Sequence, residues 1–229
     1  MGEDPSWARK EGGQREPPLR LRGARNDCSW KEEARSRRGG GYTFKAVQTD
    51  KRFRAVATLS LFNSGEVRRE GFRGSQVNSI QERLAAAAKA RQAEAAGEPA
   101  ALTPNMCETA TPDEADAMSY DLYREGYYYY GRDCAHPGST FSYTVSSLIE
   151  LAAFDARQGA EFIDVPLLMM MGSRADTGYM TIDCYEGAVN APHRALIEIP
   201  GATHIQTYWV PEYVQQATDH LVKFFGQYL

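Results

Sequence analysis

The run VPLLMMMGSRADTGYMTIDCYEGAVNAPHRALIEIPGATH, Val165–His204, decides the fold of this chain. Val165 to Met171 is apolar throughout and reads as a strand buried on both faces. Gly172-Ser173 ends it. Gly178 to about Ala188 reads as a short helix. Ala195 to Ile199 (ALIEI) reads as a second strand, stopped by Pro200-Gly201. Strand, loop, helix, strand is the signature of a parallel sheet with crossover helices. Ligands of such sheets bind beyond the carboxyl ends of the strands. Two loops lie there, one over residues 172–177 and one over 201–205.

Working outward, Pro211 to Tyr228 predicts an amphipathic helix. Tyr213, Val214, Ala217, Leu221 and Phe224 fall at helical spacing, and Pro211 suits the first turn. Upstream, Phe53 to Phe62 (FRAVATLSLF) predicts another buried strand, closed by Asn63-Ser64-Gly65. Tyr42 to Thr49 reads as a short helical stretch. Between the first strand and the second the pattern is helical. Ser75 to about Ala96 is rich in Ala, Glu, Lys and Arg and stops at Gly97. Pro104 to Asp113 reads as polar loop. Met118 to Gly131 and Ser139 to Gln158 predict two further helices. The expectation is an α/β chain of three parallel strands, with residues 63–160 as a helical cap.

Residues 1–41 differ from the rest. They contain no Val, Ile, Phe or Tyr, and Arg, Glu, Gly, Pro and Ser dominate. Such a stretch buries too little apolar surface to offset its ordering entropy. It predicts a disordered or non-native extension, leaving 42–229 as the folded part. Over the whole chain of 229 residues the net charge is −4, which speaks against a dedicated nucleic-acid binder. Cys28, Cys107, Cys134 and Cys184 form no CxxC pair and read as a reduced set. No apolar run has the length of a membrane helix, and the first residues lack an apolar signal core. The expectation is a cytoplasmic protein that contacts neither membrane nor nucleic acid.

The two loops beyond the strands carry Asp176 and His204. An acid after one strand and a histidine after the next suit a nucleophile–acid–histidine triad. The carboxylate would orient the imidazole, which takes a proton from the nucleophile. The bland reading of Asp176 is a cap for the helix that follows it. Cys184 and Ser173 read as packing and turn residues. His136 reads as structural, and His193 and His220 lack partners at metal spacing. No metal and no cofactor are expected. Tyr127 to Tyr130 read as packing within the cap, with hydroxyls that would suit the mouth of an acyl pocket. Tyr208 and Trp209 read either as pocket wall or as packing under the last helix.

Six collinear segments carry a resemblance. They are GGYTFKAVQTDKRFRAVATLS, SIQERLAAAAKARQ, LYREGYYYYG, AHPGSTFSYTVSSLIELAAFDA, PLLMMMGSRADT and IPGATHIQTYWVPEYVQQA. From Gly40 onward the chain resembles the YcjY-like and polyketide-transferase-like branch of the α/β-hydrolases. By this resemblance Asp176 matches the triad acid, His204 matches the triad histidine, and the fold is the C-terminal part of an α/β-hydrolase. The family's nucleophile elbow has the form G-x-[SC]-x-G-G-Y. Aligning on Gly40-Gly41-Tyr42 puts Arg38 at the nucleophile and Ser36 at the leading glycine. Arginine stays protonated and cannot attack. The resemblance implies acyl transfer or hydrolysis of an ester, a thioester or a peptide, with polyketide thioesters among the substrates. It also implies a chain that is inactive by itself. The alternative is a non-catalytic remnant or an interaction protein, whose open sheet edge invites association with a second copy.

Overall fold

A computed structural model describes residues 39–136 and 141–229 of the chain. Its sheet has strands β1 (Val56–Leu59), β2 (Leu167–Gly172) and β3 (Arg194–Ile199), all parallel, in the order β1-β2-β3. Val56 pairs with Leu167, and Leu167 with Arg194. The central strand β2 is buried along its whole length, which is why its sequence is a continuous apolar run.

Alternation along the strands sorts the core into two layers. Leu167 and Met169 join Val56 on one face. That face is covered by helices α1 (Gly39–Val47), through Phe44 and Val47, and α8 (Gly178–Gly187), through Met180 and Cys184. Leu168 and Met170 point the other way, with Ala57 and Leu59, onto α9 (Pro211–Tyr228), through Ala217 and Phe224. The strands, α8 and α9 agree with the expected elements, and α9 has the expected bounds. Helix α1 takes in Gly39, Gly40 and Gly41, which the sequence assigns to the extension. A Cβ at Gly41 would lie 2.4 Å from the Phe62 carbonyl oxygen, so this close crossing needs a glycine. The proposed disorder of the extension, and its Ser36 and Arg38, lie outside the described residues.

The chain leaves β1 toward Asn63 and returns near Ala160, and the described residues between form short helices joined by turns and loops. Helix α2 (Ser64–Glu70) leads into turns and then α3 (Ile80–Ala95), which is shorter than the expected 75–96. The polar loop expected over 104–113 is corrected. It holds α4 (Met106–Thr109) and the start of α5 (Pro112–Asp116). The Thr111 and Glu114 side chains form a capping box, with Pro112 in the first turn. Helix α6 (Asp121–Tyr128) runs on as a π-turn over Tyr129–Asp133. The helix expected over 139–158 is reduced to a 3-10 turn and α7 (Leu148–Ala153), because Phe154 turns extended.

That turn belongs to a tight neck between this helical segment and the sheet. A Cβ on Gly65 would fall 1.6 Å from the Phe154 carbonyl oxygen. Around this crossing, Arg69 donates to the carbonyls of Ala152 and Phe154 and to Asp155 Oδ2. Arg157 also donates to Asp155. Cys107 and Cys184 are buried thiols. Among the described residues no helix is long and apolar enough to cross a membrane.

Candidate functional site

The loops after β2 and β3 are laced together at the carboxyl edge of the sheet. Gly172 lets them touch, since a Cβ there would lie 2.2 Å from the Ala202 carbonyl oxygen. The Arg174 N–H donates to that oxygen at 2.9 Å, and the Gly201 N–H donates to Ser173 Oγ at 2.8 Å. Ser173 is therefore a turn residue, as read from the sequence.

This lacing sets His204 beside the β2 loop. The ring is buried, at 3% exposure, and burial holds its pKa down at about 4. Nδ1 lies 2.5 Å from Thr177 Oγ1, and Nε2 lies 2.6 Å from the Tyr208 hydroxyl. Either tautomer gives both contacts a donor and an acceptor. Phe62 presents an edge to the imidazole. The His204 carbonyl accepts from Thr207 Oγ1 at 2.7 Å, and that oxygen lies 3.0 Å from Ser60 Oγ. Ser60 ends β1 with a φ of +48°, in the left-handed region. The hydroxyl pair thus ties the end of β1 to the histidine loop.

Asp176 reaches the same region and is held differently. Its Oδ2 accepts the Leu122 N–H at 3.0 Å, in the first turn of α6. It caps α6 from outside, where the sequence offers the helix that follows it. Its carbonyl accepts from Arg73 at 2.8 Å. Its Oδ1 is buried and has no hydrogen-bond partner. Burial pushes the carboxyl pKa up, against the Leu122 bond and the Arg73 charge, which pull it down. The structure brings Asp176 and His204 to adjacent loops but does not hydrogen-bond them to each other. Thr177, one residue on, takes the place at Nδ1.

Other candidates resolve plainly. Cys184 is enclosed in the core, and burial pushes its thiol up to about 12, so it is no nucleophile at neutral pH. Among the described residues no group of His, Cys, Asp and Glu could hold a metal. Tyr127 and Tyr129 are buried, with Tyr127 donating to the Ala110 carbonyl. Tyr128 and Tyr129 line a cleft of about 150 Å³ between α6 and the turn after His204, with Glu125, Asp133, Gln206 and Trp209. Trp209 is thus pocket wall. Sequence reading missed Glu125, Thr177 and Thr203. They sit beside flagged residues, but no local pattern distinguishes them from surface positions.

Comparison with known proteins follows the same lines. No family model matches the chain. The uncharacterized protein YcjY of Escherichia coli (strain K12) is 30% identical over 194 residues, which are 83% of this chain and 61% of YcjY. The crystal structure of hypothetical protein PA2218 from Pseudomonas aeruginosa superposes with a TM-score of 0.67 at 24% identity, over 83% of this chain and 58% of that one. The α/β hydrolase GrgF from Penicillium sp. sh18 gives 0.58 at 16% identity, over 82% and 60%. DcsB, solved with its substrate analogue, gives 0.62 at 15% identity, over 83% and 62%. The chain spans about three-fifths of the length of these proteins. It is a homologue of YcjY and has the fold of the α/β-hydrolases.

Proposed function

We propose that this chain carries the acid-and-histidine half of an acyl-transfer site and is catalytically silent by itself. His204 is the general base and then acid, Asp176 is the triad acid, and the cap over 63–160 encloses the acyl group. Esters, thioesters or peptides are the substrate classes of a complete site, with polyketide-derived thioesters in the branch the sequence resembles.

One observation carries the reading. A buried imidazole stands beyond the end of β3, with one nitrogen facing the β2 loop and the other bonded to a hydroxyl. A triad histidine is likewise buried and bonded at both nitrogens, with a carboxylate where Thr177 stands here. In this chain the hydroxyl belongs to Tyr208, on the histidine's own loop. Arg38 stands where the family pattern has its nucleophile. The silence follows from these two facts together. For Asp176 to serve Nδ1, Thr177 Oγ1 has to give up its place there, and the unpartnered Oδ1 of Asp176 is the atom that would gain a partner by taking it.

The test is turnover of p-nitrophenyl butyrate by the wild-type chain and by His204→Ala. The expected result is no turnover above buffer from either. Turnover that depends on His204 would overturn the silence, and turnover that survives its loss would overturn the site. A second reading, an interaction protein, is favoured by β1, which pairs only with β2 among the described residues. Sedimentation of the full chain decides it, since that reading requires a dimer or larger species.

A further inference from the structure

The cleft between α6 and the turn after His204 has an unusual lining. Three of its six side chains are aromatic (Tyr128, Tyr129, Trp209) and two are acidic (Glu125, Asp133), and none is basic. Gln206 completes it. A neutral acyl chain would gain nothing from two carboxylates in so small a space. An anion would be repelled by them. A compact organic cation would gain twice, from the carboxylates and from contact with aromatic rings.

The carboxylate of Glu125 is built into place. The Thr203 hydroxyl donates to its Oε2 at 2.5 Å, and Thr203 is itself 2% exposed. The Thr203 N–H and the Gln206 N–H link the same loop to itself through Gln206 Oε1 and Thr203 Oγ1. One acceptor oxygen of Glu125 is thereby fixed against the histidine loop. Burial raises the carboxyl's pKa; the Thr203 bond and Arg124 oppose the rise, and Asp121 and Asp176 add to it. A cation in the cleft would offset that burial cost. Glu125 makes none of the ion pairs found among the described residues. Trp209 is 47% exposed at the rim, so the cleft opens to solvent on an aromatic wall. Its volume of about 150 Å³ accommodates a group of trimethylammonium or guanidinium size and little more.

We propose that the cleft formed by Glu125, Tyr128, Tyr129, Asp133, Gln206 and Trp209 binds an alkylammonium or guanidinium group. The site is independent of any chemistry at His204, so it stands or falls separately from the acyl-transfer reading. Because the cleft lies directly beside the histidine loop, it would select ligands that carry a positive charge near the end held by the cap.

The experiment is a titration of the full chain with choline, followed by tryptophan fluorescence, beside its uncharged isostere 3,3-dimethyl-1-butanol. Choline is expected to give a saturable change, with the isostere at least about tenfold weaker. Glu125→Gln keeps the shape and a hydrogen-bond acceptor for Thr203, and is expected to weaken choline by about tenfold or more. A thermal melt of that variant confirms that it is folded, and Asp133→Asn serves as the second variant if it is not. Absence of a saturable choline signal, equal binding of the isostere, or unchanged affinity on removing the carboxylate would each overturn the proposal.

Discussion

Asn63 clamps Asp155 across the neck of the helical segment. Its amide nitrogen donates to Asp155 Oδ1 at 2.9 Å, while its own Oδ1 accepts the Ala156 N–H at 3.0 Å. The two residues stand where the chain leaves the sheet and where it comes back. Asn63 is fully buried and Asp155 nearly so. Burial raises the Asp155 pKa, but the bonds from Arg157 and Asn63 outweigh it and hold the carboxyl well below the usual range.

Asn63→Ala leaves the Ala156 N–H without its acceptor and takes a donor from Asp155. The expected loss is about 2–4 kcal/mol, read from urea denaturation at neutral pH. Limited proteolysis should then cut first within 64–155, since the clamp holds both ends of that segment.

Two glycines give opposite expectations. Gly65→Ala would drive a methyl group into the Phe154 carbonyl, so the chain should lose roughly 3 kcal/mol or more, or fail to fold. Gly226 lies in α9 with nothing within 4 Å of an added Cβ. Gly226→Ala should stabilise by up to about 1 kcal/mol in the same denaturation assay.

The burial of His204 sets a pH dependence. Its folded pKa, about 4, lies below the ordinary 6.5, so acid protonates the unfolded chain first. This contribution to stability is complete above pH 6.5, falls as the pH drops, and levels off below about 4. The total is on the order of 3 kcal/mol. The wild-type stability curve minus that of His204→Gln should show this slope, and a flat difference would refute the burial argument.

Asp176 costs stability as it stands, because Oδ1 is buried without a partner and burial disfavours its charge. Asp176→Asn keeps an acceptor for the Leu122 N–H and removes the charge. It should leave the melting temperature unchanged or raise it, by up to about 1 kcal/mol in stability at neutral pH. A clear drop would mean that the ionised carboxylate is needed where it is.

The legible parts of the fold were those set by local pattern. The run Leu167–Met171 could be read as a strand because burial on both faces demands apolar residues throughout. Helix α9 could be read because its apolar face repeats at helical spacing. The helical segment between β1 and β2 was legible only in outline. Helix α4 has no periodic face, and the helix expected over 139–158 breaks where Phe154 must pass Gly65, a contact between residues far apart in sequence. Asp176 and His204 could be placed at neighbouring strand ends. Their partners, Leu122, Thr177 and Tyr208, depend on the angle at which α6 and two loops meet, and no pattern in the sequence encodes it.

The neck makes the helical segment between β1 and β2 an insertion in the topological sense. The chain departs and re-enters at one crossing, so the sheet registers only that the two ends meet. The closure cost of such an excursion grows only with the logarithm of its length. Helices could be added to or removed from 64–155 while β1 and β2 keep their pairing, provided Asn63, Gly65 and Asp155 stay. A change of length between these two ends therefore costs the sheet little.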